Sequence, residues 1–213
     1  MTRVISLCVV LGYLCSQSVM ASSYREKVLN EADKLLNTVN ISYAWGGHSI
    51  NPKLCAECSA CLNKAGTAPK KQLEICPVCN QCSLDCSHFI ETAFDRAGLA
   101  TPYLTTRQMN RLEAKTLRKS YGWIDLGRKV NRILPADILV YDGHVVLVEK
   151  VSSPGVGQVI HSTSGDVIKR AGEGIQRQTL VPFANFKGPL LKILRHRKIA
   201  STMAKKHFRR QKR

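Results

Sequence analysis

The chain has 213 residues, with 32 Lys and Arg against 15 Asp and Glu, so its formal net charge is +17 at pH 7. A composition of 44% hydrophobic and 22% charged residues is that of a globular protein and excludes a wholly disordered chain. The length indicates one domain with room for an insertion rather than two full domains. Composition and pattern also exclude a collagen, a coiled coil, a solenoid repeat and a multi-span membrane protein.

The N-terminus, residues 1–21, has the pattern of a secretion signal. A basic start precedes an apolar run over residues 4–13, and small residues precede an expected cleavage site after Ala21. The run is too short to span a bilayer comfortably, and a buried N-terminal helix is the alternative. We predict an exported protein, periplasmic or secreted, in which disulfides can form. Cleavage would remove Cys8 and Cys15 and leave an odd number of cysteines, so one thiol stays unpaired or pairs with another chain.

Hydrophobic periodicity predicts helices in the first half of the chain and strands in the second. Apolar residues at three- and four-residue steps predict helices over 23–39, 86–97 and 106–114. Residues 48–83 show no clear periodicity and indicate an insertion. After the third helix the pattern changes to short strands separated by Gly-containing turns, predicted over 122–126, 137–141, 144–151, 158–162, 167–170, 176–181 and 190–194. Helices followed by an antiparallel meander predict an α+β fold.

The insertion contains two CxxCxxC runs, and their chemistry has two interpretations. An exported segment with little core of its own favours a finger cross-linked by disulfides. The alternative is a zinc site, because four of the cysteines have the C-x2-C-x17-C-x2-C spacing of a zinc ribbon. The alternative zinc ligands are Cys55, Cys58, Cys76 and Cys79. The disulfide candidates are Cys55, Cys58, Cys61, Cys76, Cys79 and Cys82; six cysteines allow about fifteen pairings, and the sequence does not choose among them.

A seventh cysteine, Cys86, stands apart from these six, directly after Asp85 and at the start of a predicted helix. A helix N-terminus lowers the pKa of a thiol, and its free N–H groups can hold an oxyanion, so the position suits a nucleophile. A thiolate nucleophile also needs a histidine with which to exchange its proton. His144 opens an apolar strand after an Asp-Gly turn, and His161 lies in the next predicted strand. Two paired strands could therefore place both imidazoles together, with His161 orienting His144.

Five short motifs resemble, in order and content, those of the NlpC/P60 family of papain-like cysteine peptidases from bacterial cell walls. They are Tyr43-Ala44-Trp45-Gly46-Gly47, Leu84-Asp85-Cys86-Ser87, Leu134-Pro135-Ala136-Asp137-Ile138, Gly143-His144-Val145 and Val159-Ile160-His161. The resemblance covers residues 25–195 and implies a papain-like fold with N-terminal helices packed on an antiparallel sheet. It divides the chain into a signal, 1–21, a peptidase domain, 22–195, and a basic tail, 196–213.

The resemblance implies a role for each residue of the catalytic motifs. Cys86 would be the nucleophile, His144 the general base and then the general acid, and His161 the residue that holds the imidazole of His144. No metal or organic cofactor is required by this chemistry. The residues implied to bind substrate are Tyr43, near the reacting carbonyl, with Asp85 and Ser87, at the free amine of a stem peptide.

The implied activity is hydrolysis of amide bonds in peptidoglycan stem peptides, most specifically the bond from D-isoglutamate to the following diamino acid. An amidase, acyltransferase or antibacterial toxin of the same fold and a non-enzymatic cysteine-rich binding module are the alternatives. The sequence departs from the family pattern most clearly at two places. His88 replaces the glycine usual after Asp-Cys-Ser, and 37 residues separate Gly47 from Asp85. The insertion is therefore expected to rise from the rim of the cleft, where it could cap one side.

The C-terminal part of the chain is strongly basic. From Lys187 onward there are 11 Lys and Arg and no acidic residue. One interpretation is a solvated tail; the other is electrostatic attachment to an anionic wall polymer, lipopolysaccharide or a membrane surface. Nucleic acid is not favoured as a partner, because the tail has few aromatic residues and the chain begins with an export signal.

Overall fold

The computed structural model describes residues 23–38, 41–65, 72–163 and 174–201. The predicted signal 1–21, the predicted strand 167–170 and the sequence beyond residue 201 lie outside these ranges. Within them the chain is mixed α+β with antiparallel sheets, which confirms the predicted fold class. In the described part of the chain, none of the helices has the length and apolar character needed to cross a membrane.

The described α-helices, in chain order, are α1 (Tyr24–Asn37), α2 (Pro52–Ala65), α3 (Gln72–Ile75), α4 (Cys86–Arg96), α5 (Thr106–Arg111) and α6 (Ala114–Ser120), and residues 197–201 are helical as well. Polar caps fix the starts of α1 and α4. Ser23 and Glu26 form a reciprocal capping box at the start of α1, and the Asp85 carboxylate accepts the His88 N–H at the start of α4. These caps explain why the predicted helices 23–39 and 86–97 match the structure within two residues.

The strands are β1 (His48–Ile50), β2 (Cys82–Leu84), β3 (Trp123–Asp125), β4 (Ile138–Tyr141), β5 (His144–Ser153), β6 (Val156–Ser162), β7 (Ile175–Pro182) and β8 (Lys192–His196). The first two form a small antiparallel sheet. The other six form one antiparallel sheet in the order β3-β8-β4-β5-β6-β7. The meander β4-β5-β6-β7 therefore holds both candidate histidines on neighbouring central strands, and β8 returns to pair between β3 and β4.

Both faces of the six-stranded sheet are covered, and this explains the continuous apolar runs of its central strands. Ile138, Val140 and Leu147 belong to the larger core, which also contains apolar residues of α1 and α4. Leu139 and Tyr141 belong to a second cluster together with residues such as Phe183. Because side chains alternate along a strand, successive residues contribute to opposite cores. The first core places the start of α4 beside the start of β5.

The cysteine-rich insertion is more regular than its sequence indicates. Helix α2 carries the first CxxCxxC run, so its three cysteines recur at three-residue steps along one side. The second run starts at Cys76, continues through a 3₁₀ turn, Pro77–Gln81, and ends at Cys82 in β2. The pairs are nested, first with last: Cys55–Cys82, Cys58–Cys79 and Cys61–Cys76. The disulfide prediction is confirmed, and all four alternative zinc ligands are used in these bonds.

The basic C-terminal region begins inside the folded unit. His196, at the start of the predicted tail 196–213, is the last residue of β8 and is buried against Phe94 and Trp123. Ile199 is buried in the main core. Ordered structure therefore continues at least to residue 201, because β3 pairs with β8 and draws the following turn of helix onto the core.

Candidate active site

The start of α4 is fixed by the backbone on several sides. Leu84 accepts a hydrogen bond from the Ser162 hydroxyl at 2.6 Å and donates its N–H to Ser42 at 3.0 Å. The Asp85 N–H donates to the Gly47 carbonyl at 2.8 Å. A Cβ on Gly47 would lie 2.5 Å from the Ser83 hydroxyl, so this close approach requires glycine. The Tyr43–Gly47 segment is thereby held beside the start of α4, and both contribute to one cleft.

Cys86, the free cysteine of the described residues, is the first residue of α4 and is 6% exposed. Backbone N–H groups of Val145 and Ser87 donate toward its sulfur. Burial nevertheless raises the pKa of the Cys86 thiol to about 11, because the loss of water around a thiolate outweighs these N–H groups. The expectation that the helix N-terminus would lower this pKa is therefore wrong in sign.

His144 and His161 are brought together as predicted. His144 follows the tight Asp142-Gly143 turn between β4 and β5 and pairs with Tyr141. His161 lies in β6 and is fully buried. A hydrogen bond of 2.7 Å joins His144 Nε2 to His161 Nδ1, and the two rings meet edge to face.

The protonation of His144 is controlled by its surroundings. Burial lowers the pKa of His144 to about 4, and the positive charge of Lys187 acts in the same direction. His144 is therefore neutral at pH 7 and available to accept a proton. The N–H directed at the Cys86 sulfur belongs to Val145, the residue after His144. The start of α4 thus lies beside the start of β5.

The Cys86 thiol lies in a cleft of about 260 Å³. Four of the six predicted site residues line it, and these are Tyr43, Asp85, Cys86 and Ser87. His144 and His161 are not among its lining residues. Gly143, in the turn between β4 and β5, also lines the cleft. Of the described insertion residues, none lines the cleft. The insertion instead packs behind β2, so the described part does not cap the cleft as expected.

The cleft wall beside Cys86 is an ordered polar network. The Ser87 hydroxyl donates to Asp85 Oδ1 at 2.9 Å and lies 3.0 Å from the Tyr103 hydroxyl. Because Ser87 has one hydroxyl proton, Tyr103 must be the donor in the second contact. The His88 ring stacks on Tyr103 with centroids 4.1 Å apart, and His88 Nδ1 lies 3.0 Å from Asp85 Oδ1. The buried Asp85 carboxylate is held at the cleft by the Ser87 hydroxyl and, at 2.8 Å, by the His88 backbone N–H.

Tyr43 keeps its hydroxyl proton in this setting. Burial raises the pKa of Tyr43, and negative charge on Cys86 or Asp85 would raise it further. A neutral phenol can donate a hydrogen bond to a carbonyl oxygen of a substrate. This agrees with the expectation that Tyr43 helps to position or polarise the reacting carbonyl.

Three residues of the site were not assigned by the sequence. Tyr103 lies in a connecting segment without a motif, and only the fold brings it to Ser87 and His88. Trp45 belongs to the first motif but had no role; it lines the cleft and is 93% exposed, which is unusual for a large aromatic side chain. Lys187 follows β7 and acts on His144 through its charge.

Comparisons with known proteins gave no match to a protein-family model and none to a curated protein. The resemblance to the NlpC/P60 family therefore stays a prediction carried by the five motifs. Across the described ranges, the structure also shows no group of three or more His, Cys, Asp and Glu arranged to hold a metal ion.

Proposed function

We propose that the protein is an exported cysteine peptidase with a papain-like NlpC/P60 fold, which hydrolyses amide bonds in peptidoglycan stem peptides. The observation that carries this proposal is the arrangement of Cys86, His144 and His161. A free thiol lies at a helix N-terminus, a backbone hydrogen bond from Val145, the residue after His144, favours its thiolate, and His161 forms a hydrogen bond with the His144 ring.

The reaction follows from this arrangement. The neutral thiol of Cys86 transfers its proton to His144 as the sulfur attacks the scissile carbonyl carbon. Backbone N–H groups at the start of α4 stabilise the oxyanion that forms. His144 then gives the proton to the departing amine, which leaves a thioester on Cys86. Water, deprotonated by His144, hydrolyses the thioester and restores the thiol.

The electrostatics of the cleft support a substrate with a free amine. Asp85 is 8% exposed and lies at the cleft wall, where its carboxylate is the negative group next to Cys86. Ser87, Tyr103 and Tyr43 add hydroxyl groups around it. An ammonium group could replace water at this carboxylate and place a neighbouring amide carbonyl over the thiol. The N-terminal amine of a stem peptide has this chemistry.

The disulfides support an exported location. Three disulfides in a chain of this size are typical of a protein that folds in an oxidising compartment, such as the periplasm or the medium. The basic C-terminal tail supplies an electrostatic means of attachment to an anionic wall polymer or membrane surface. Nucleic acid is not proposed as a partner.

The test is to incubate the protein with purified peptidoglycan and to identify the released fragments by mass spectrometry. We expect fragments cut between D-isoglutamate and the diamino acid, and none with Cys86→Ala of unchanged thermal stability. Fragments cut at the glycan-to-peptide amide would instead identify an amidase, and peptidoglycan binding without release would indicate a binding module. Undiminished hydrolysis by Cys86→Ala would falsify the cysteine peptidase assignment.

A further inference from the structure

A concave surface lies at the β3 edge of the large sheet, between α6 and the end of β8. It encloses about 540 Å³. Lys115, Arg118 and Lys119 line one wall from α6, and Arg197 lines the other. We call this surface the basic groove. The three residues of α6 are spaced so that they share one face of the helix, while Leu117 on another face is buried in the core.

The four cations of the basic groove are exposed and, among the described residues, form no ion pair. One acidic residue, Asp125, lies at the groove. Its carboxylate is 3.6 Å from the Lys192 ammonium, which in turn donates to the Leu112 carbonyl at 2.7 Å. Asp125 is thus already balanced by a cation outside the groove lining. The excess positive charge of the groove is therefore not cancelled within the fold.

The basic groove is separate from the catalytic cleft. In the sheet order, β8 and β4 lie between β3 at the groove and β5 at the active site. The two cavities share no lining residue. A ligand could occupy the groove while substrate occupies the cleft.

We infer that the basic groove binds a linear, phosphate-bearing polymer. Unpaired cations on two walls of a concave surface attract repeated anionic groups, and their release of counterions favours binding of a polyanion. Two arginines and two lysines suit phosphate oxygens, because guanidinium and ammonium groups both donate charge-assisted hydrogen bonds. This inference does not depend on the peptidase proposal.

The groove lining favours such a polymer over a membrane or a nucleic acid. A membrane surface is broad, whereas the four cations lie around a concavity, and the lining has no exposed large apolar residue to insert into lipid. Single-stranded nucleic acid binds through aromatic side chains on which its bases stack, and the lining contains none. Phosphate groups joined by small or sugar-like units need neither feature.

The sequence that follows Arg197 of the groove is also positively charged. Arg197 is followed by Lys198, whose side chain lies over Tyr24, and the described part of the structure ends at residue 201. Residues 202–213 contain six Lys and Arg and no acidic residue. Positive charge in this segment attracts the same kind of polyanion as the groove.

The test is binding of fluorescent inorganic polyphosphate by the full chain, measured across salt concentration. Lys115→Gln/Arg118→Gln/Lys119→Gln should weaken binding about tenfold near 0.1 M salt and lower the slope of log affinity against log salt by about 2. Arg197→Gln, on the opposite wall, should weaken binding in the same direction and serves as a second variant if the triple variant unfolds. Cleavage of a soluble stem peptide, as a separate readout, should not change.

The matched control is Lys53→Gln/Lys64→Gln/Lys150→Gln, which removes the same charge at exposed lysines outside the groove. Equal weakening by the groove and control variants would overturn the inference, because binding would then follow net charge alone. The inference would also be overturned if both groove variants bound polyphosphate with unchanged affinity while a chain ending at Ser201 did not bind it. Binding would then depend on the tail. Groove-dependent binding that is tighter for phosphatidylglycerol vesicles or for oligo-dT than for polyphosphate would overturn the choice of ligand.

Discussion

His161 Nδ1 lies 2.7 Å from His144 Nε2, and this contact leaves Nδ1 as the ring nitrogen of His144 that His161 does not engage. For neutral His144 to act as a base at Nδ1, its own proton must be on Nε2 and must be donated to His161. His161 must then carry its proton on Nε2. With His161 Nδ1 as the acceptor, the pair fixes both the orientation and the tautomer of the base.

Replacement of His161 tests this positioning role. His161→Ala should lower kcat about 100-fold and change KM little, because the His144 ring loses its orientation while the substrate contacts remain. His161→Asn should recover part of kcat, since the Asn Oδ1 can accept the hydrogen bond near the place of His161 Nδ1. Steady-state kinetics on a stem peptide give both values. If Ala and Asn variants were equally impaired, the role of His161 would be one of packing.

The resting state of the thiol gives a second prediction. With the pKa of Cys86 raised to about 11 and the pKa of His144 lowered to about 4, both groups are neutral at pH 7. Alkylation of Cys86 by iodoacetamide should be about 100-fold slower at pH 7 than that of an ordinary cysteine. The rate should rise tenfold per pH unit toward pH 10. His144→Ala should leave the rate at pH 7 nearly unchanged.

A resting thiolate paired with an imidazolium would give the opposite behaviour. The alkylation rate would then be high and nearly constant between pH 5 and pH 9, and His144→Ala would lower it sharply. Either of these observations would contradict the neutral pair. Loss of hydrolysis on acidification should follow protonation of His144, so we expect activity to persist to about pH 5.

The sequence was informative where a local signal decides the structure. The starts of α1 and α4 follow from the caps at Ser23 and Asp85, and the turn before His144 follows from Asp142-Gly143. The sequence did not predict α6, and the predicted helix 106–114 reaches only its first residue. Several residues of α6 are basic and exposed, and Leu117 is its buried residue, so the helix has no clear apolar stripe in the sequence. Helix α2 was also not predicted. Two of its buried residues are disulfide-bonded cysteines, so its buried side does not read as an apolar stripe in the sequence.

Tertiary burial explains what the sequence could not give for the site. A helix N-terminus predicts a lowered thiol pKa at Cys86, but the core around α4 and β5 reverses the sign. Tyr103 is distant in sequence from every motif, and the fold alone stacks it on His88. Trp45 belongs to a sequence motif, but the exposure of its side chain in the turn at residues 45–46 was not predicted from the sequence.

Two buried histidines make acid stability a third prediction. Burial lowers the pKa of His144 and of His196 to about 4. Below pH 6.5 the unfolded chain binds protons at these positions and the folded chain does not, so the free energy of unfolding falls as pH falls toward 4. Each group contributes up to about 1.4 kcal/mol per pH unit in this window.

Urea unfolding of His196→Gln and wild type between pH 7 and pH 4 measures this contribution. The variant should be less stable at pH 7, because His196 packs against Trp123 and Phe94. The difference should shrink as pH falls, by up to about 1.4 kcal/mol per unit below pH 6.5. A constant difference for His196→Gln would contradict the lowered pKa.

The nested disulfides give a prediction about thiol content. Cys86 is the free cysteine of the described residues, and the predicted signal, 1–21, contains two more cysteines. Under denaturing, non-reducing conditions, a chain cleaved after Ala21 should react with one equivalent of an alkylating probe. Seven reactive thiols with stoichiometric zinc would contradict the disulfides and restore the zinc alternative.

The order of the disulfides also predicts unequal effects on activity. Cys82 lies in β2, three residues before Asp85, whereas Cys61–Cys76 is the pair farthest along the chain from the active site. Cys55→Ser/Cys82→Ser should lower both stability, by about 2–5 kcal/mol, and kcat, because β2 holds the start of α4. Cys61→Ser/Cys76→Ser should lower the stability less, because the Cys61–Cys76 disulfide closes the shorter loop, and should leave kcat nearly unchanged. Equal kcat values in the two variants, each shown by circular dichroism to be folded, would mean that the insertion does not position Cys86.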